Sequence, residues 1–346
     1  MKKLNRVLSL SAAAALALSL TACSGGTSGT ADTPAADNTS ASTGGSGDTY
    51  TVAVIKQMDH ASLDEIADAI AARLDEIAAE NGITIQYEVT SGQGDQTVLR
   101  QLADQAIADG VDAIIPIATT AAQVAAVSAE ESQTPVVFAA ISYPETADLT
   151  GIDYVTGTSD ALDTNLILDM MLAQNPELQS VGLLYSLSEP NSEVPIADAK
   201  AYLDEKGIAY TEATANTNDE VIAAASSLIA DGVDAVFTPT DNIIMAAELA
   251  IYEDFINAGI PHYTGADSFV RNGAFATCGV NYTDLGAQTA DLAYQAMTEG
   301  MDSLEDYYQV AGGLITVNSE TADALGIDTS VFDSMGEVAA VTTTEE

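Results

Sequence analysis

The stretch Ile107-Ala-Asp-Gly-Val-Asp-Ala-Ile-Ile-Pro116 is nearly repeated later in the chain as Ile229-Ala-Asp-Gly-Val-Asp-Ala-Val-Phe-Thr-Pro239. In each copy a glycine follows a helical pattern, and glycine ends helices because it adopts the left-handed conformation at low cost. The apolar run that comes next predicts a strand covered on both faces, as in parallel sheets. The two copies predict two similar lobes, whether they come from a repeat or from convergence, since any doubly wound sheet uses this pattern.

The same alternation of apolar runs and amphipathic segments extends in both directions from these stretches. Short links between strand, helix and next strand imply right-handed crossovers and a parallel sheet. The fold class is therefore α/β, with two doubly wound parallel-sheet lobes. We predict strands at 50–56, 83–90, 111–117, 135–140, 180–185, 208–213, 233–239, 261–265, 274–280 and 307–311, and helices at 63–81, 96–109, 120–131, 162–174, 194–207, 219–231, 243–258 and 285–300.

The end of the chain is too short for a third lobe, so its segments should complete the two lobes already begun. The chain then crosses between the lobes near Gly157, near Asn281 and near Gly312, and these crossings form a hinge. Ligands of such sheets bind outside the carboxyl ends of the strands, so the cleft between the lobes is the expected site. The expected boundaries are 50–158 plus 282–312 for lobe 1 and 159–281 plus 313–346 for lobe 2.

The amino-terminal residues have the pattern of a bacterial lipoprotein signal. Positive residues come first, and the apolar run 7–20 is too short to span a bilayer as a helix. Small residues then lead to Cys23, where the leader 1–22 would be cut and a lipid attached. The alternative is an ordinary secretory leader with an accidental cysteine. Residues 23–49, mostly small and polar, predict a flexible tether, so we expect the chain outside the cytoplasm, anchored to the cell membrane by lipidated Cys23.

The composition is strongly acidic. The chain has 9 Lys and Arg residues against 52 Asp and Glu residues. Because phosphate binding needs basic patches, nucleic-acid binding is excluded. The negative charge also disfavours binding of the protein surface to an anionic membrane, so the lipid must provide the attachment. Cys278 is the only other cysteine, so no intrachain disulfide is available once Cys23 is lipidated. A phosphate-binding glycine motif, a metal-ligand cluster and a Ser-His-Asp arrangement are all absent, which argues against an enzyme, a cofactor and a metal site.

Polar side chains follow the predicted strands of both lobes, where a ligand would lie. Thr119, Thr120 and the helix N–H groups beside them can take a carboxylate without a cation. Asp241 or Asp267 can hold an ammonium group. Several candidates are also ordinary helix-capping residues, and Lys56 can equally form a surface ion pair. The candidate ligand-binding residues are Lys56, Gln57, His60, Gln93, Thr119, Thr120, Ser142, Tyr143, Asn191, Ser192, Asp241, Asn242 and Asp267.

Ten motifs, in order over residues 50–340, resemble those of one family, the ABC transporter substrate-binding lipoproteins whose better-known members take up tryptophan or tyrosine. The matching residues are Asp59-His-Ala-Ser-Leu-Asp64, Gly92-Gln-Gly-Asp95, Ile117-Ala-Thr-Thr-Ala-Ala122, Pro135-Val-Val-Phe-Ala-Ala140, Gly157-Thr-Ser-Asp160, Val181-Gly-Leu-Leu-Tyr185, Glu189-Pro-Asn-Ser192, Pro239-Thr-Asp-Asn242, Asn272-Gly-Ala-Phe-Ala276 and Leu285-Gly286. The resemblance implies a type I periplasmic-binding fold and a non-catalytic receptor that delivers its solute to a membrane permease driven by an ATPase.

Two positions at the expected cleft depart from the family. This chain has Tyr143 where the family usually has Asp, and Asp59 where it usually has Glu. Tyr143 could add a stacking face for the ligand, or fill space and select a smaller one.

The family resemblance leads us to expect a monomeric receptor whose lobes close on an aromatic amino acid such as tryptophan or tyrosine. A sugar, a nucleoside or another small amide is an alternative, although sugar sites usually stack the ring on Trp or Phe and this chain has no Trp. A receptor that presents its ligand to a membrane kinase is a second alternative, which the sequence does not separate from transport.

Overall fold

The structure, a computed structural model, describes residues 48–344. The predicted leader, Cys23 and the predicted tether up to residue 47 lie outside this range. Within it, none of the helices is long and apolar enough to cross a lipid bilayer.

Lobe 1 contains a six-stranded sheet with helices on both faces. Its strands are β1 (Thr49–Lys56), β2 (Thr84–Ser91), β3 (Ala113–Ile117), β4 (Val136–Phe138), β5 (Val155–Ser159) and β11 (Tyr308–Gln309). Its helices are α1 (Ala61–Asn81), α2 (Gln96–Asp109), α3 (Thr119–Ala129) and α10 (Tyr282–Glu299), followed by a 3-10 turn at Met301–Ser303. The strand order is β11-β5-β4-β3-β1-β2, and all neighbouring strands are parallel.

Lobe 2 contains a seven-stranded sheet. Its strands are β6 (Ser180–Tyr185), β7 (Ala209–Thr214), β8 (Ala235–Thr238), β9 (His262–Thr264), β10 (Ala276–Val280), β12 (Gly312–Asn318) and β13 (Val338–Val341). Its helices are α4 (Thr164–Gln174), α5 (Glu193–Lys206), α6 (Asn218–Asp231), α7 (Asn242–Ala247), α8 (Tyr252–Ala258), α9 (Asp267–Arg271) and α11 (Ser319–Leu325), with 3-10 turns at Pro190–Ser192, Glu248–Ala250 and Thr329–Ser334. The strand order is β13-β12-β10-β9-β8-β6-β7. β12 runs antiparallel to β10, and β13 runs parallel to β12, so these two strands are antiparallel to the other five.

The two similar stretches of sequence occupy equivalent places in the two lobes. Gly110 ends α2 with φ 74°, and Gly232 ends α6 with φ 69°, both left-handed. The strands that follow, β3 and β8, are buried along their whole length. The predicted fold class, two doubly wound α/β lobes, is confirmed.

The chain passes between the lobes at three places. It leaves lobe 1 after β5 through residues 160–163, returns at Asn281 between β10 and α10, and leaves again through 310–311 between β11 and β12. The Asn281 side chain accepts the Asp284 N–H at 3.0 Å and so begins α10 directly at the second crossing.

The predicted helix 243–258 is broken in the structure into α7, a 3-10 turn and α8. At the break Glu248 turns inward, is fully buried, and lies 3.0 Å from His262 Nδ1. The sequence pattern also missed β5, α9, β12, α11 and β13; β5 reads Val-Thr-Gly-Thr-Ser, which is half polar although wholly buried.

Candidate ligand-binding cleft

A cavity lies between the lobes, at the carboxyl ends of strands from both sheets. The space open to a water molecule inside it is about 20 Å³, and one water needs roughly 10–15 Å³. The lobes are therefore closed on each other, and any larger solute requires them to separate. The cavity is lined by His60, Ser62, Leu63, Ile66, Ala118, Thr119, Ala140, Ser142, Asp160 and Tyr282 of lobe 1 and the first crossing, and by Asn191, Thr240, Asp241, Asn242, Met245, Ala266 and Phe269 of lobe 2.

Asp160 is a buried carboxylate in this lining. It accepts hydrogen bonds from Ser142 Oγ at 2.8 Å and from the Tyr282 hydroxyl at 3.1 Å. Because the Ser142 proton goes to Asp160, Thr240 Oγ1 is the donor in its 3.3 Å contact with Ser142, which joins the lobes. Burial raises the pKa of Asp160, while the two hydroxyl donors oppose that shift.

Four side chains form a second network across the cleft, which we call the Glu189 network: Gln57 and His60 of lobe 1, and Glu189 and Asn242 of lobe 2. Glu189 accepts from Gln57 Nε2 at 2.8 Å and from Asn242 Nδ2 at 2.6 Å. Asn242 Oδ1 lies 3.0 Å from His60 Nε2. Gln57 Oε1 in turn accepts the Thr120 N–H at 3.0 Å, at the start of α3.

His60 contributes an unused acceptor to the cavity. Burial lowers the pKa of His60 to about 4, so the imidazole is neutral at pH 7. Asn242 Oδ1 can only accept, so Nε2 carries the proton and Nδ1 is a bare acceptor. Among the described residues His60 Nδ1 has no hydrogen-bond partner, and neither has the buried Asn191 Oδ1. Two orphan acceptors therefore lie in the lining together with the Asp160 carboxylate.

The start of α3 lies on the same cavity and offers helix N–H donors. Ala118, the residue before α3, has φ 76° and ψ 161°, a conformation that costs a non-glycine residue about 1–3 kcal/mol. This backbone turns directly from the end of β3 into α3 and places the buried Thr119 side chain in the lining. Strain of this kind is typical of ligand-binding segments.

The charge balance of the lining favours a cationic group. Asp160 and Asp241 line the cavity, Glu189 lies directly behind Asn242, and no Lys or Arg is among the lining residues. Within residues 48–344, no group of three His, Cys, Asp or Glu side chains is arranged to hold a metal ion.

Two further contacts join the lobes besides the Ser142–Thr240 contact and the Glu189 network. Ser62 Oγ and Ser268 Oγ are 2.5 Å apart. Arg271 of α9 pairs with Glu65 of α1. These contacts exist only while the lobes are closed.

The structure brings together some of the predicted site residues. Those that line the cavity are His60, Thr119, Ser142, Asn191, Asp241 and Asn242, and those in bonding contact with lining residues or with the start of α3 are Gln57, Thr120 and Ser192. The others lie elsewhere. Lys56 pairs with Asp59 and Asp64, Gln93 is exposed, and the Tyr143 hydroxyl donates to the Leu162 carbonyl at 3.4 Å.

The two carboxylates predicted to hold an ammonium group are already engaged. Asp241 begins α7 by accepting the N–H groups of Ile243 and Ile244, and its second oxygen accepts from Ser186 N and Ser192 Oγ. Asp267 pairs with Arg271 at 2.5 Å, outside the lining, although its Oδ1 is buried without a partner in the described range. Asp160 differs from both: it lines the cavity, and each of its oxygens accepts one side-chain hydrogen bond, whereas each Asp241 oxygen accepts two hydrogen bonds.

Sequence reasoning missed Asp160, Glu189, Thr240, Phe269 and Tyr282 as site residues. Three of them stand in motifs that already carried the family resemblance, Gly157-Thr-Ser-Asp160, Glu189-Pro-Asn-Ser192 and Pro239-Thr-Asp-Asn242. Asp160 follows β5, and the hydrophobic pattern did not predict this strand. The sequence therefore gave no indication that Asp160 lies at the end of a strand.

Residues 51–335 match the family described as ABC transporter substrate binding protein. A curated relative, the tyrosine-binding protein of Clostridioides difficile (strain R20291), is 27% identical over 251 residues, which is 71% of this chain and 72% of the relative. A solved structure described as an ABC domain "in complex with L-Trp from Streptococcus pneumonia" is 26% identical, covers 84% of this chain and 100% of its own, and has a TM-score of 0.76.

A ligand-free, open structure of a substrate-binding protein with adhesive properties from Clostridium difficile is 25% identical. It covers 85% of this chain and 100% of its own, with a TM-score of 0.64. At nearly equal identity, the present structure is thus more similar to the L-Trp complex than to the open form. The predicted family resemblance is confirmed: this chain belongs to the ABC transporter substrate-binding proteins, which act outside the cytoplasm and are not enzymes.

Proposed function

We propose that this protein is the solute receptor of an ABC importer and that it captures an aromatic amino acid, such as tyrosine or tryptophan, between its two lobes. One observation carries the proposal: the same cavity contains buried hydrogen-bond acceptors around Asp160 and helix N–H donors at the start of α3. A zwitterionic amino acid has the matching ends, an ammonium and a carboxylate.

In this proposal Asp160 holds the ligand ammonium, assisted by Asn191 Oδ1 and, while Glu189 is ionised, by His60 Nδ1. The Tyr282 hydroxyl and Ser142 keep the carboxylate oriented. The Thr119 hydroxyl and the N–H groups of Thr119 and Ala121 take the ligand carboxylate, because the Thr120 N–H is already bonded to Gln57. Both ends are then paired, which a buried charged group requires.

An apolar ligand side chain suits the rest of the lining, which contains Leu63, Ile66, Met245 and Phe269. The tyrosine-binding and L-Trp-bound relatives support an aromatic side chain. A sugar is less favoured, because among the lining residues only Phe269 and Tyr282 have aromatic rings and the Tyr282 hydroxyl is bound to Asp160.

Ligand capture follows from the closed geometry. Bonds between the lobes form only on closure, and a ligand that contacts both lobes shifts the open–closed equilibrium by its differential affinity for the closed state. We propose that residues 50–158 plus 282–312 and residues 159–281 plus 313–346 move as the two bodies. In the same proposal the lipid at Cys23 and its tether keep a monomeric receptor near its permease and ATPase, which raises its local concentration there.

Isothermal titration calorimetry against L-tyrosine, L-tryptophan, L-phenylalanine, L-arabinose and uridine tests the ligand class. We expect binding to at least one aromatic amino acid and none to the sugar or the nucleoside. The matched control is the deaminated analogue of the amino acid that binds, 3-(4-hydroxyphenyl)propionate for tyrosine, which should bind at least tenfold more weakly. If no aromatic amino acid binds, the ligand proposal is wrong.

A further inference from the structure

We propose that Glu189 is a positioning residue that, acting through Asn242, decides which ring nitrogen of His60 carries the proton. It thereby sets whether the cavity presents a hydrogen-bond acceptor or a donor at His60. The inference rests on the proposed function only where it names the group that an acceptor would bind, the ligand ammonium.

The observed bonds fit an ionised Glu189. An ionised carboxylate only accepts hydrogen bonds, so the Asn242 amide points its Nδ2 at Glu189 Oε2, at 2.6 Å. The amide oxygen of Asn242 then faces His60 Nε2 at 3.0 Å, and Nε2 must carry the proton. His60 Nδ1 is left as a buried acceptor without a partner in the described part of the chain.

A proton on Glu189 reverses this arrangement. The new hydroxyl on Oε2 needs an acceptor, which Asn242 supplies by turning its amide so that Oδ1 faces Glu189. Asn242 Nδ2 then donates to His60 Nε2, and the neutral imidazole carries its proton on Nδ1. Glu189 has gained one proton from solvent, and His60 has exchanged one ring proton for another, so its charge is unchanged. The cavity now presents a donor that repels an ammonium group.

The other side of the Glu189 network cannot respond in this way. Gln57 Oε1 accepts the backbone N–H of Thr120 at 3.0 Å. Turning the Gln57 amide would point its NH₂ group at this N–H, which is also a donor. Protonation of Glu189 is therefore passed on to Asn242 and His60 alone.

The charges around Glu189 place its titration near neutral pH. Burial and the nearby Asp241 carboxylate raise the pKa of Glu189 to about 8. Hydrogen bonds from the amides of Asn242 and Gln57 lower this pKa and only partly offset the rise. His60 faces it from lobe 1 through Asn242 and is neutral above about pH 5, because its pKa is about 4. On the outer side Glu193 and Lys200 share a groove with Glu189, and Lys200 pairs with Glu212.

The test measures the tautomer directly, by ¹⁵N NMR of the histidine rings, in full-length protein locked in the closed state. A disulfide between Ser62→Cys and Ser268→Cys supplies the lock, since the two hydroxyl oxygens are 2.5 Å apart, and Cys23→Ser avoids competing thiols. The chain has only 2 His residues, so His60→Gln identifies the His60 signal. Should the disulfide not form, spectra with bound L-tyrosine replace those of the locked protein.

In the locked protein we expect the Nδ1–H tautomer at pH 6 and the Nε2–H tautomer at pH 10. Glu189→Gln should give the Nδ1–H tautomer at both pH values, because its amide donates to Asn242 permanently. Glu193→Gln, the same change at the exposed neighbour, should behave as the parent. A tautomer that stays the same at both pH values in the parent, or that Glu189→Gln leaves unaltered, overturns the proposal. The locked protein needs no ligand, so failure of amino acid binding leaves this result interpretable.

Discussion

The hydroxyl of Tyr282 donates a hydrogen bond to Asp160 Oδ2 at 3.1 Å, and the two residues stand beside two different crossings between the lobes. Asp160 is where the chain first leaves lobe 1, and Tyr282 is the first residue of α10, where the chain has just returned. The bond therefore joins two of the segments that connect the lobes, and in the proposed closing motion the buried carboxylate of the cavity lies close to the hinge. A ligand can then bind Asp160 before the lobes close.

Replacing Asp160 with Asn should weaken L-tyrosine binding by about 10- to 100-fold, because a hydrogen bond to a charged group contributes about 1.5–3 kcal/mol. Calorimetry measures the loss. Binding of 3-(4-hydroxyphenyl)propionate should change much less, since that analogue has no ammonium. The exposed Asp204→Asn serves as the charge-matched control. Equal losses for both ligands would place the ammonium elsewhere.

Replacing Arg271 with Met should weaken ligand binding by about two- to fivefold, because a partly exposed ion pair between the lobes contributes about 0.2–1 kcal/mol to the closed state. Small-angle scattering of the ligand-bound variant should show a larger open fraction. Arg73→Met is the matched control, because in the described part of the chain Arg73 pairs with Glu76, Glu80 and Asp291, all within lobe 1. An effect of Arg73→Met as large as that of Arg271→Met would contradict a role in closure.

Replacing Glu248 with Ala should lower the free energy of unfolding by about 2–4 kcal/mol. The change leaves His262 Nδ1 buried without its partner and opens a small cavity beside the ring. Urea unfolding followed by circular dichroism gives the value. Glu253→Ala, on the exposed face of α8, should stay within about 0.5 kcal/mol of the parent. A similar small effect at Glu248 would mean that the buried pair does not stabilise lobe 2.

Cys278 should resist alkylation in the folded protein. Burial, with a smaller effect of Asp163, raises the pKa of the Cys278 thiol to about 11. A raised thiol pKa means less thiolate at any pH below it, so at pH 8 roughly one thiol in a thousand is reactive. Iodoacetamide labelling of the Cys23→Ser variant, read by mass spectrometry, should be slow at pH 8 and fast in 8 M urea. Rapid labelling without urea would show that the strand β10 opens locally.

Replacing Cys23 with Ser should release the protein from cell membranes into the soluble extracytoplasmic fraction without changing ligand affinity. The lipid is the proposed anchor, and the net charge of −43 disfavours any other attachment to an anionic membrane. Fractionation followed by immunoblotting measures the location, and calorimetry measures affinity. Retention of the variant in the membrane fraction would refute the anchor.

Most of the secondary structure could be predicted from the sequence, because buried strands and the glycines that end helices depend on residues close together in the chain. The strands β3 and β8 and the stops at Gly110 and Gly232 follow directly from residue pattern. The candidate site could be predicted only in part. His60, Thr119 and Asn242 stand at strand ends that the pattern reveals, whereas Asp160 follows the half-polar strand β5, which it does not.

By itself the sequence determined the two-lobed α/β architecture and the family, since both depend on local patterns and motifs that are read along the chain. Only the tertiary structure decided which carboxylate remains free for a ligand. Asp241 and Asp160 are both buried acids near strand ends, and they differ in what surrounds them. Backbone N–H groups of α7 satisfy Asp241, while Asp160 meets two hydroxyls contributed by residues distant in sequence. Hydrogen-bond satisfaction of a buried carboxylate depends on such neighbours, and these come together only when the chain has folded.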